Sequence, residues 1–323
     1  MRLPVLTWSI IIIISSMKIC LVGPGYMPIP PTGWGACEIL IWDYYQTLTK
    51  KGHTVKIVNT PDVNQIYREI DEFAPDLVHI QYDDYFYLAE NLQYKTIITS
   101  HYAYIEQPQK HGGYSDIFKG FLKSKATIFA LSEGIKQTYV KHGRDPNTVR
   151  VVKNGVRTDL FRFKEVGNDK SIYLAKIDYR KRQYLFQDIK DLYFIGNFAD
   201  TRFNSPNYIG EWTKDQVYKN LTVFGNLVLL SDGEAHPLVC LEAMSAGLGL
   251  VVSEYATANL DLTLPFINVI EEKDISNLDI VEKVIIENRK KSLKLRQEIR
   301  EYSKTFDWEV VVDSYLQETS SIV

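Results

Sequence analysis

Short, fully apolar runs alternate with amphipathic stretches along almost the whole chain, and this alternation constrains the fold more than any other feature. Strands that are apolar on both faces and separated by helices are typical of parallel sheets covered by helices on each side. In the first part of the chain, the predicted strands are 18–23, 54–59, 76–81, 95–100, 126–132 and 149–152. The helices predicted between them are 35–51, 63–73, 84–92, 114–124 and 133–142.

The same alternation starts again after Asn154-Gly155. Its predicted strands are 171–177, 192–197, 208–212, 227–231, 248–254 and 266–271, and its predicted helices are 181–190, 214–222, 238–246, 278–302 and 308–319. A length of 323 residues agrees with two domains of roughly 150 residues each. We therefore predict an α/β protein with two Rossmann-like domains, 17–158 and 159–305, whose parallel sheets face each other across a cleft. Ligands of such sheets bind beyond the carboxyl ends of the strands.

The first 16 residues form a separate, mostly apolar segment. It is too short to span a bilayer, which takes about 20 residues. The segment is compatible with a weak signal peptide or with an upstream extension. A complete strand-and-turn pattern begins at Met17, and it favours the extension.

The overall composition excludes several classes of protein. A net charge of −3 provides no strong field for nucleic acid. Cys20, Cys37 and Cys240 lie far apart without a CxxC pair, so we expect neither a zinc site nor a redox dithiol. We expect a reduced, cytoplasmic protein, with a peripheral membrane contact left open.

A long glycine- and proline-rich loop follows the first predicted strand. Gly23-Pro24-Gly25 fails the dinucleotide fingerprint, because Pro28 stands at the position of the third glycine. The later part of the loop, PTGWG, precedes a helix and leaves backbone N–H groups free to bind an anion. An ordinary tight connection is the alternative interpretation.

The segment 231–247 carries the most specific pattern of the chain. Glu234 and Glu242 lie eight residues apart and bracket a transition from strand to loop to helix. The backbone N–H groups of Leu238 and Val239, at the start of that helix, would suit a diphosphate. Glu242, one turn further, could accept both hydroxyls of a ribose.

This segment is similar to the E-x7-E signature of the retaining glycosyltransferases of family 4, which have the GT-B fold. Family members read roughly S-x-x-E-G-F-G-x-x-x-x-E-A-M-A-x-G, and this chain reads SDGEAHP and then EAMSAG, followed by the apolar LGLVVSE. Ala235 and His236 replace a glycine and an aromatic residue, which changes the shape of the pocket. A helix start rich in acidic residues would explain one glutamate but not the ordered string. The resemblance implies that Glu234 orients the sugar and that Glu242 holds the ribose.

Other segments resemble the family in the same order. VKNGVRTDLF at 152–161 is similar to P-N-G-V-D-x-x-x-F, and KIDYRK at 176–181 resembles the loop G-R-x-x-x-x-K-G. In that register Lys176 and Lys181 hold the donor diphosphate. Because adjacent residues at a helix start point about 100° apart, we expect Arg182 to face solvent. A basic, solvated loop is the alternative interpretation for Arg180 and Arg182.

Two further positions complete the resemblance, which runs from about residue 17 to 319. His101 follows a predicted strand, where the family often has a histidine near the transferred sugar. FDWE at 306–309 is similar to the F-x-W-E that precedes a last helix crossing back to the N-terminal domain, here 306–323.

The resemblance implies a retaining, metal-independent glycosyltransferase that moves a sugar from a nucleotide-diphosphate donor to a hydroxyl of a glycan or glycoconjugate. It implies no cofactor besides that co-substrate, and the chain has no D-x-D motif to support the metal-dependent GT-A fold. The residues expected to be catalytic are His101, Glu234 and Lys181. Those expected to bind the donor are Gly33, Trp34, Gly35, Lys176, Lys181, Glu234, His236, Leu238, Val239 and Glu242.

Two other functions remain open at this point. Another GT-B enzyme, such as a nucleotide-sugar epimerase or a phosphorylase, would share the fold. A catalytically weak subunit that binds sugar nucleotides is the other alternative, because the Gly-Arg and Lys-Gly positions are altered. The sequence names neither the donor nor the acceptor.

Overall fold

The computed structural model describes residues 16–32 and 35–322. The predictions for the N-terminal extension up to residue 15, and those for Gly33 and Trp34, lie outside the described residues. The first half forms a six-stranded parallel sheet in the order β2-β1-β3-β4-β5-β6. Its strands are β1 (Lys18–Val22), β2 (Thr54–Val58), β3 (Leu77–Ile80), β4 (Lys95–Ile98), β5 (Thr127–Ala130) and β6 (Val149–Val151). Its α-helices are α1 (Ala36–Lys50), α2 (Val63–Phe73), α3 (Ser115–Lys123) and α4 (Glu133–Lys141).

The second half forms a five-stranded parallel sheet in the order β11-β10-β9-β7-β8. Its strands are β7 (Ser171–Leu174), β8 (Leu192–Ile195), β9 (Asn226–Leu229), β10 (Gly249–Ser253) and β11 (Ile267–Ile270). Its α-helices are α5 (Gln183–Phe186), α6 (Lys214–Asn220), α7 (Leu238–Ser245), α8 (Leu278–Lys294) and α9 (Arg296–Ser303). The predicted fold class is confirmed, because both sheets are parallel and carry helices between their strands.

Four predicted elements differ from the structure. The predicted strand 208–212 forms only a single bridge, from Phe194 to Tyr208, because Gly210 turns the chain at a φ of 91°. The predicted helix 278–302 is broken at Leu295 into α8 and α9. The predicted helix 84–92 is a 3-10 helix over Asp83–Glu90, and the predicted helix 181–190 shortens to α5.

The last helix, α10 (Trp308–Ser320), packs on the first sheet's side of the molecule. The rings of Trp308 and Tyr315 lie 4.6 Å and 5.1 Å from that of Tyr44 on α1. The Trp308 ring also crosses Gly155 so closely that a Cβ there would lie 2.6 Å from it. Only glycine fits that crossing of the chain.

Each half has its own apolar core, and the chain crosses between the halves twice at one place. The Val156 N–H donates to the Phe306 carbonyl at 2.9 Å, which joins the two crossing segments. Strands in the interior of both sheets, such as β1 and β9, are almost wholly buried. Within residues 16–32 and 35–322, no helix has the length and apolar character needed to cross a membrane.

Candidate active site

A cavity of about 440 Å³ lies between the two halves at the carboxyl ends of their strands. The first half contributes the start of α1 and His101, which follows β4. The second half contributes the loops after β7, β8 and β9 and the start of α7. Proteins with parallel sheets usually bind their ligands beyond the carboxyl ends of the strands. The cavity is therefore the candidate active site.

Glu234 lies in the loop between β9 and α7 and forms the centre of a charged cluster. Its Oε1 accepts a hydrogen bond from Nζ of Lys181 and forms an ion pair with Nη1 of Arg180 at 3.0 Å. Burial alone would raise the pKa of Glu234, but the two cations outweigh it, and the pKa lies below its usual value. Glu234 is therefore ionised at neutral pH and neutralises part of the positive charge beside it.

The loop after β7 holds Lys181 in place. The hydroxyl of Tyr173 donates to the Lys181 carbonyl, and the Lys181 N–H donates to the Asp178 carboxylate at 2.9 Å. Lys176 begins the same loop, is exposed and lines the cavity. Both lysines predicted to hold a diphosphate therefore border the same cavity.

The two arginines of this loop do not form a solvated surface. Arg180 lines the cavity and also donates to the Gly233 carbonyl at 2.7 Å. The prediction that Arg182 faces solvent is wrong. Arg182 is buried and forms two hydrogen bonds to the Glu272 carboxylate, at 2.6 and 3.0 Å. Its backbone is left-handed, with a φ of 58°, and this turns the side chain away from the cavity and toward Glu272.

The N-terminus of α7 faces the cavity with uncapped backbone N–H groups. Pro237 occupies the N-cap position, provides no side-chain cap and has no N–H of its own. The first helical residues, Leu238 and Val239, line the cavity, so their N–H groups and the helix dipole favour an anion there. The position predicted from the sequence for an anion site is thus at the cavity wall.

Glu242 lies one turn further along α7, is buried and lines the cavity. Its Oε1 accepts a hydrogen bond from Nζ of Lys214, at the start of α6. The sequence did not single out Lys214, since no motif distinguishes a lysine in the first turn of a helix. A ligand hydroxyl that binds Glu242 has to share the carboxylate with this ammonium.

His236 lines the cavity, but its ring joins the two halves of the protein. Its Nδ1 accepts the Asn154 N–H at 3.0 Å, and the Asn154 side chain donates to the His236 carbonyl at 3.1 Å. Burial lowers the pKa of His236 to about 3, so the ring is neutral.

Gly35 precedes α1, whose Ala36 and Cys37 line the cavity.

His101 faces this cluster from the first half. Its Nε2 lies 3.1 Å from the side-chain oxygen of Gln81. Burial in the cleft lowers the pKa of His101 to about 4, and the imidazole is therefore neutral at pH 7. A neutral imidazole has one donor and one acceptor nitrogen.

Asp232 forms a contact between the halves that the sequence did not indicate. The Tyr104 hydroxyl donates to its carboxylate at 2.6 Å. Gln107 and Lys110 each donate to its backbone carbonyl at 3.0 Å. The Lys110 ammonium also lies 5.0 Å from the ring of Tyr255 in the second half. These contacts hold the loop after His101 against the loop that carries Glu234.

Two comparisons of the sequence with known proteins gave one family match. The model of the family described as Glycosyltransferase Family 4 matches residues 58–160. A search of curated protein sequences found no match.

Solved structures resemble nearly the whole chain. HepE of Anabaena, in complex with UDP-glucose, is 13% identical, with a TM-score of 0.70, over 95% of this chain and 100% of that chain. Sucrose-phosphate synthase from Thermosynechococcus elongatus is 15% identical, with a TM-score of 0.76, over 94% and 98%. The lipopolysaccharide outer core galactosyltransferase WaaB is 16% identical, with a TM-score of 0.67, over 95% and 100%. The predicted resemblance is thus confirmed: residues 58–160 match glycosyltransferase family 4, and the chain has the two-domain GT-B fold.

Proposed function

We propose that this protein transfers a sugar from a nucleotide-diphosphate donor to a hydroxyl group of a glycan or glycoconjugate. The observation that carries the proposal is the convergence of three features on one cavity. These are the cation cluster around Glu234, the N-terminus of α7 and the buried carboxylate of Glu242. Together they provide cations and backbone N–H groups for a diphosphate and a carboxylate for the hydroxyls of a ribose.

The donor would lie along the wall of the second half. Its diphosphate would contact the amides of Leu238 and Val239 and the ammonium of Lys181, and its ribose would reach Glu242. The sugar would lie between Glu234 and His101, where the two halves face each other. HepE was solved with UDP-glucose, which makes UDP-sugars the first donors to test.

Catalysis would depend on the diphosphate as leaving group. When the bond between the anomeric carbon and the phosphate oxygen breaks, negative charge grows on the diphosphate. Lys181, Lys176, Arg180 and the α7 amides would stabilise that charge in the transition state. The acceptor oxygen forms the new bond to the anomeric carbon, and its proton leaves with the diphosphate. The family resemblance supports retention of the anomeric configuration, and the cation cluster could take the role of a divalent metal ion.

A panel of nucleotide sugars tests this function in two stages. Thermal shift measurements first identify the donor, since a ligand at 100 times its Kd adds about 2.7 kcal/mol to stability. Transfer, donor hydrolysis and donor epimerisation are then followed together, and the anomeric configuration of the product is read by NMR. Transfer of the sugar to an added hydroxyl acceptor supports the proposal.

The other outcomes would assign the protein elsewhere. Epimerised donor, or phosphorolysis of a glycoside, would indicate another GT-B enzyme. Binding of a donor without turnover, across a broad acceptor panel, would indicate a sugar-nucleotide-binding subunit. No stabilisation by any nucleotide sugar would contradict the proposal.

A further inference from the structure

The side chain of Gln81 lies directly behind His101 and is almost completely buried. Gln81 follows β3, and its backbone N–H donates to the Val22 carbonyl at 2.9 Å. The thiol of Cys37, on α1, donates to the Gln81 carbonyl at 3.0 Å. These contacts on two sides fix the backbone of Gln81, while burial and the contact with His101 restrict its side chain.

The amide oxygen of Gln81 faces Nε2 of His101 at 3.1 Å. An amide oxygen only accepts hydrogen bonds, so the hydrogen of the neutral imidazole lies on Nε2. Nδ1 then keeps its lone pair and is an acceptor. Among the described residues, no group forms a hydrogen bond with Nδ1 of His101. Nδ1 is also absent from the buried polar atoms that lack a hydrogen-bond partner. Since His101 lines the cavity, the natural partner of Nδ1 is a hydrogen-bond donor on a ligand.

Burying this glutamine has a cost that packing does not explain. Its side-chain nitrogen is buried and has no hydrogen-bond partner among the described residues. An amide donor buried without an acceptor lowers stability, whereas a methionine of similar length would fill the same space. The orientation of His101 accounts for the glutamine at this position.

We propose that Gln81 is a positioning residue, which holds His101 in the Nε2–H tautomer so that Nδ1 accepts a hydrogen bond from a hydroxyl of the bound sugar. This inference rests on the proposed function, because it requires a sugar in the cavity. Three titratable groups interact with the pair: Cys37 on α1 contacts the Gln81 carbonyl, His79 on β3 interacts electrostatically with His101, and Asp83, at the start of the 3-10 helix after β3, accepts a hydrogen bond from the His101 backbone. Burial is the cause of the low pKa of His101, which keeps Nδ1 unprotonated at neutral pH.

Two substitutions separate positioning from packing. Gln81→Met removes the acceptor at similar volume, and we expect kcat/KM to fall about 3- to 10-fold. Gln81→Glu keeps the shape and adds a negative charge next to Nε2, which raises the pKa of His101. A protonated imidazole has no lone pair, so turnover by Gln81→Glu should decline as the pH falls through that raised pKa, where the wild type stays active. Thr99→Val is the matched control, because Thr99 makes a similar buried bond, 2.8 Å long, to His79.

Nitrogen-15 NMR of the histidine rings gives a readout that is independent of turnover. We expect the Nε2–H tautomer of His101 in the wild type, a mixture of tautomers in Gln81→Met and an unchanged His101 in Thr99→Val. An Nδ1–H tautomer in the wild type would overturn the proposal. So would a pH profile of turnover that is the same in Gln81→Glu and in the wild type. If the wild type turns over no nucleotide sugar at all, the proposed function fails, and the proposed role of Gln81 in catalysis fails with it. The NMR spectrum still decides in that case whether Gln81 sets the tautomer of His101.

Discussion

Arg182 combines a left-handed backbone, which lowers stability, with an ion pair to Glu272, which raises it. Its φ of 58° and ψ of 22° place it where a non-glycine residue loses about 1–2 kcal/mol. It also holds Glu272 by two hydrogen bonds, with the arginine side chain 11% and the glutamate 40% exposed. Removing one partner of such a half-exposed pair should cost about 1–2 kcal/mol, between the values for surface and buried pairs.

Comparing Arg182→Ala with Arg182→Gly separates the two effects. Both variants lose the ion pair, but only glycine relieves the left-handed backbone. Glycine also gives the unfolded chain more conformational entropy, which lowers the free energy of unfolding by about 0.4–1 kcal/mol and offsets part of that relief. We therefore expect Arg182→Gly to be about 0.5–1 kcal/mol more stable than Arg182→Ala in urea unfolding. Both variants should bind the donor like the wild type, because the Arg182 side chain contacts Glu272 rather than the cavity.

Ala74 provides the control for the backbone effect alone. It ends α2 at a φ of 49°, is exposed and carries no charge. Ala74→Gly should therefore stabilise the protein by the same backbone amount, about 0.5–1 kcal/mol, without any ion pair to lose. If Arg182→Ala proves at least as stable as Arg182→Gly while Ala74→Gly stabilises, the reasoning about Arg182 is refuted.

Three further predictions concern the site and the core. Lys181→Met should lower kcat/KM for transfer about 10- to 150-fold in steady-state kinetics, because a charge-assisted hydrogen bond of about 1.5–3 kcal/mol is lost. An unchanged kcat/KM would show that Lys181 does not bind the donor. A chelator such as EDTA should leave the transfer rate unchanged, and a collapse that Mg²⁺ or Mn²⁺ restores would contradict a metal-independent mechanism. Burial raises the pKa of Asp83 from about 4 in the unfolded chain to about 7, so the wild type should lose stability as the pH rises between these values. Asp83→Asn lacks this titration. Its free energy of unfolding in urea, relative to that of the wild type, should therefore rise from pH 5 to pH 8. A difference between the two proteins that stays constant with pH would show that Asp83 does not titrate in this range.

The alternation of apolar runs and amphipathic stretches was sufficient to predict both sheets, because parallel strands buried on both faces leave a strong local pattern. The predictions failed where distant residues decide the structure. Arg296 is buried just after the break at Leu295, and its guanidinium donates to the carbonyls of Lys164 and Phe224, more than 70 residues away along the chain. No glycine or proline in α8 or α9 indicates that break. A local pattern cannot show such a contact.

The site illustrates the same limit. The spacing of Glu234 and Glu242 was enough to locate the loop and the helix that border the cavity. Arg182 was misjudged, because its position next to Lys181 indicated a solvated basic loop and its partner, Glu272, lies 90 residues later. Gln81 carried no signal at all, since a single glutamine after an apolar strand is common. The motifs indicated several of the residues that border the cavity, but not Lys214, and which of these residues pair with one another required the fold.

The pairing within the cavity has a consequence for donor binding. Glu234 is bonded to Lys181, and Glu242 is bonded to Lys214, so each carboxylate that would meet the donor already has a cation. A diphosphate that engages Lys181 must share that ammonium with Glu234, and a ribose that engages Glu242 must share the carboxylate with Lys214. If Lys181 engages the phosphate of the proposed donor, the ion pair between Arg180 and Glu234 would still provide the glutamate with a counter-charge. Because neither carboxylate would be left unpaired, the proposed mode of donor binding would avoid the large cost of an isolated buried charge. In the proposed mechanism, the second cation beside Glu234 would thus allow Lys181 to stabilise the leaving group.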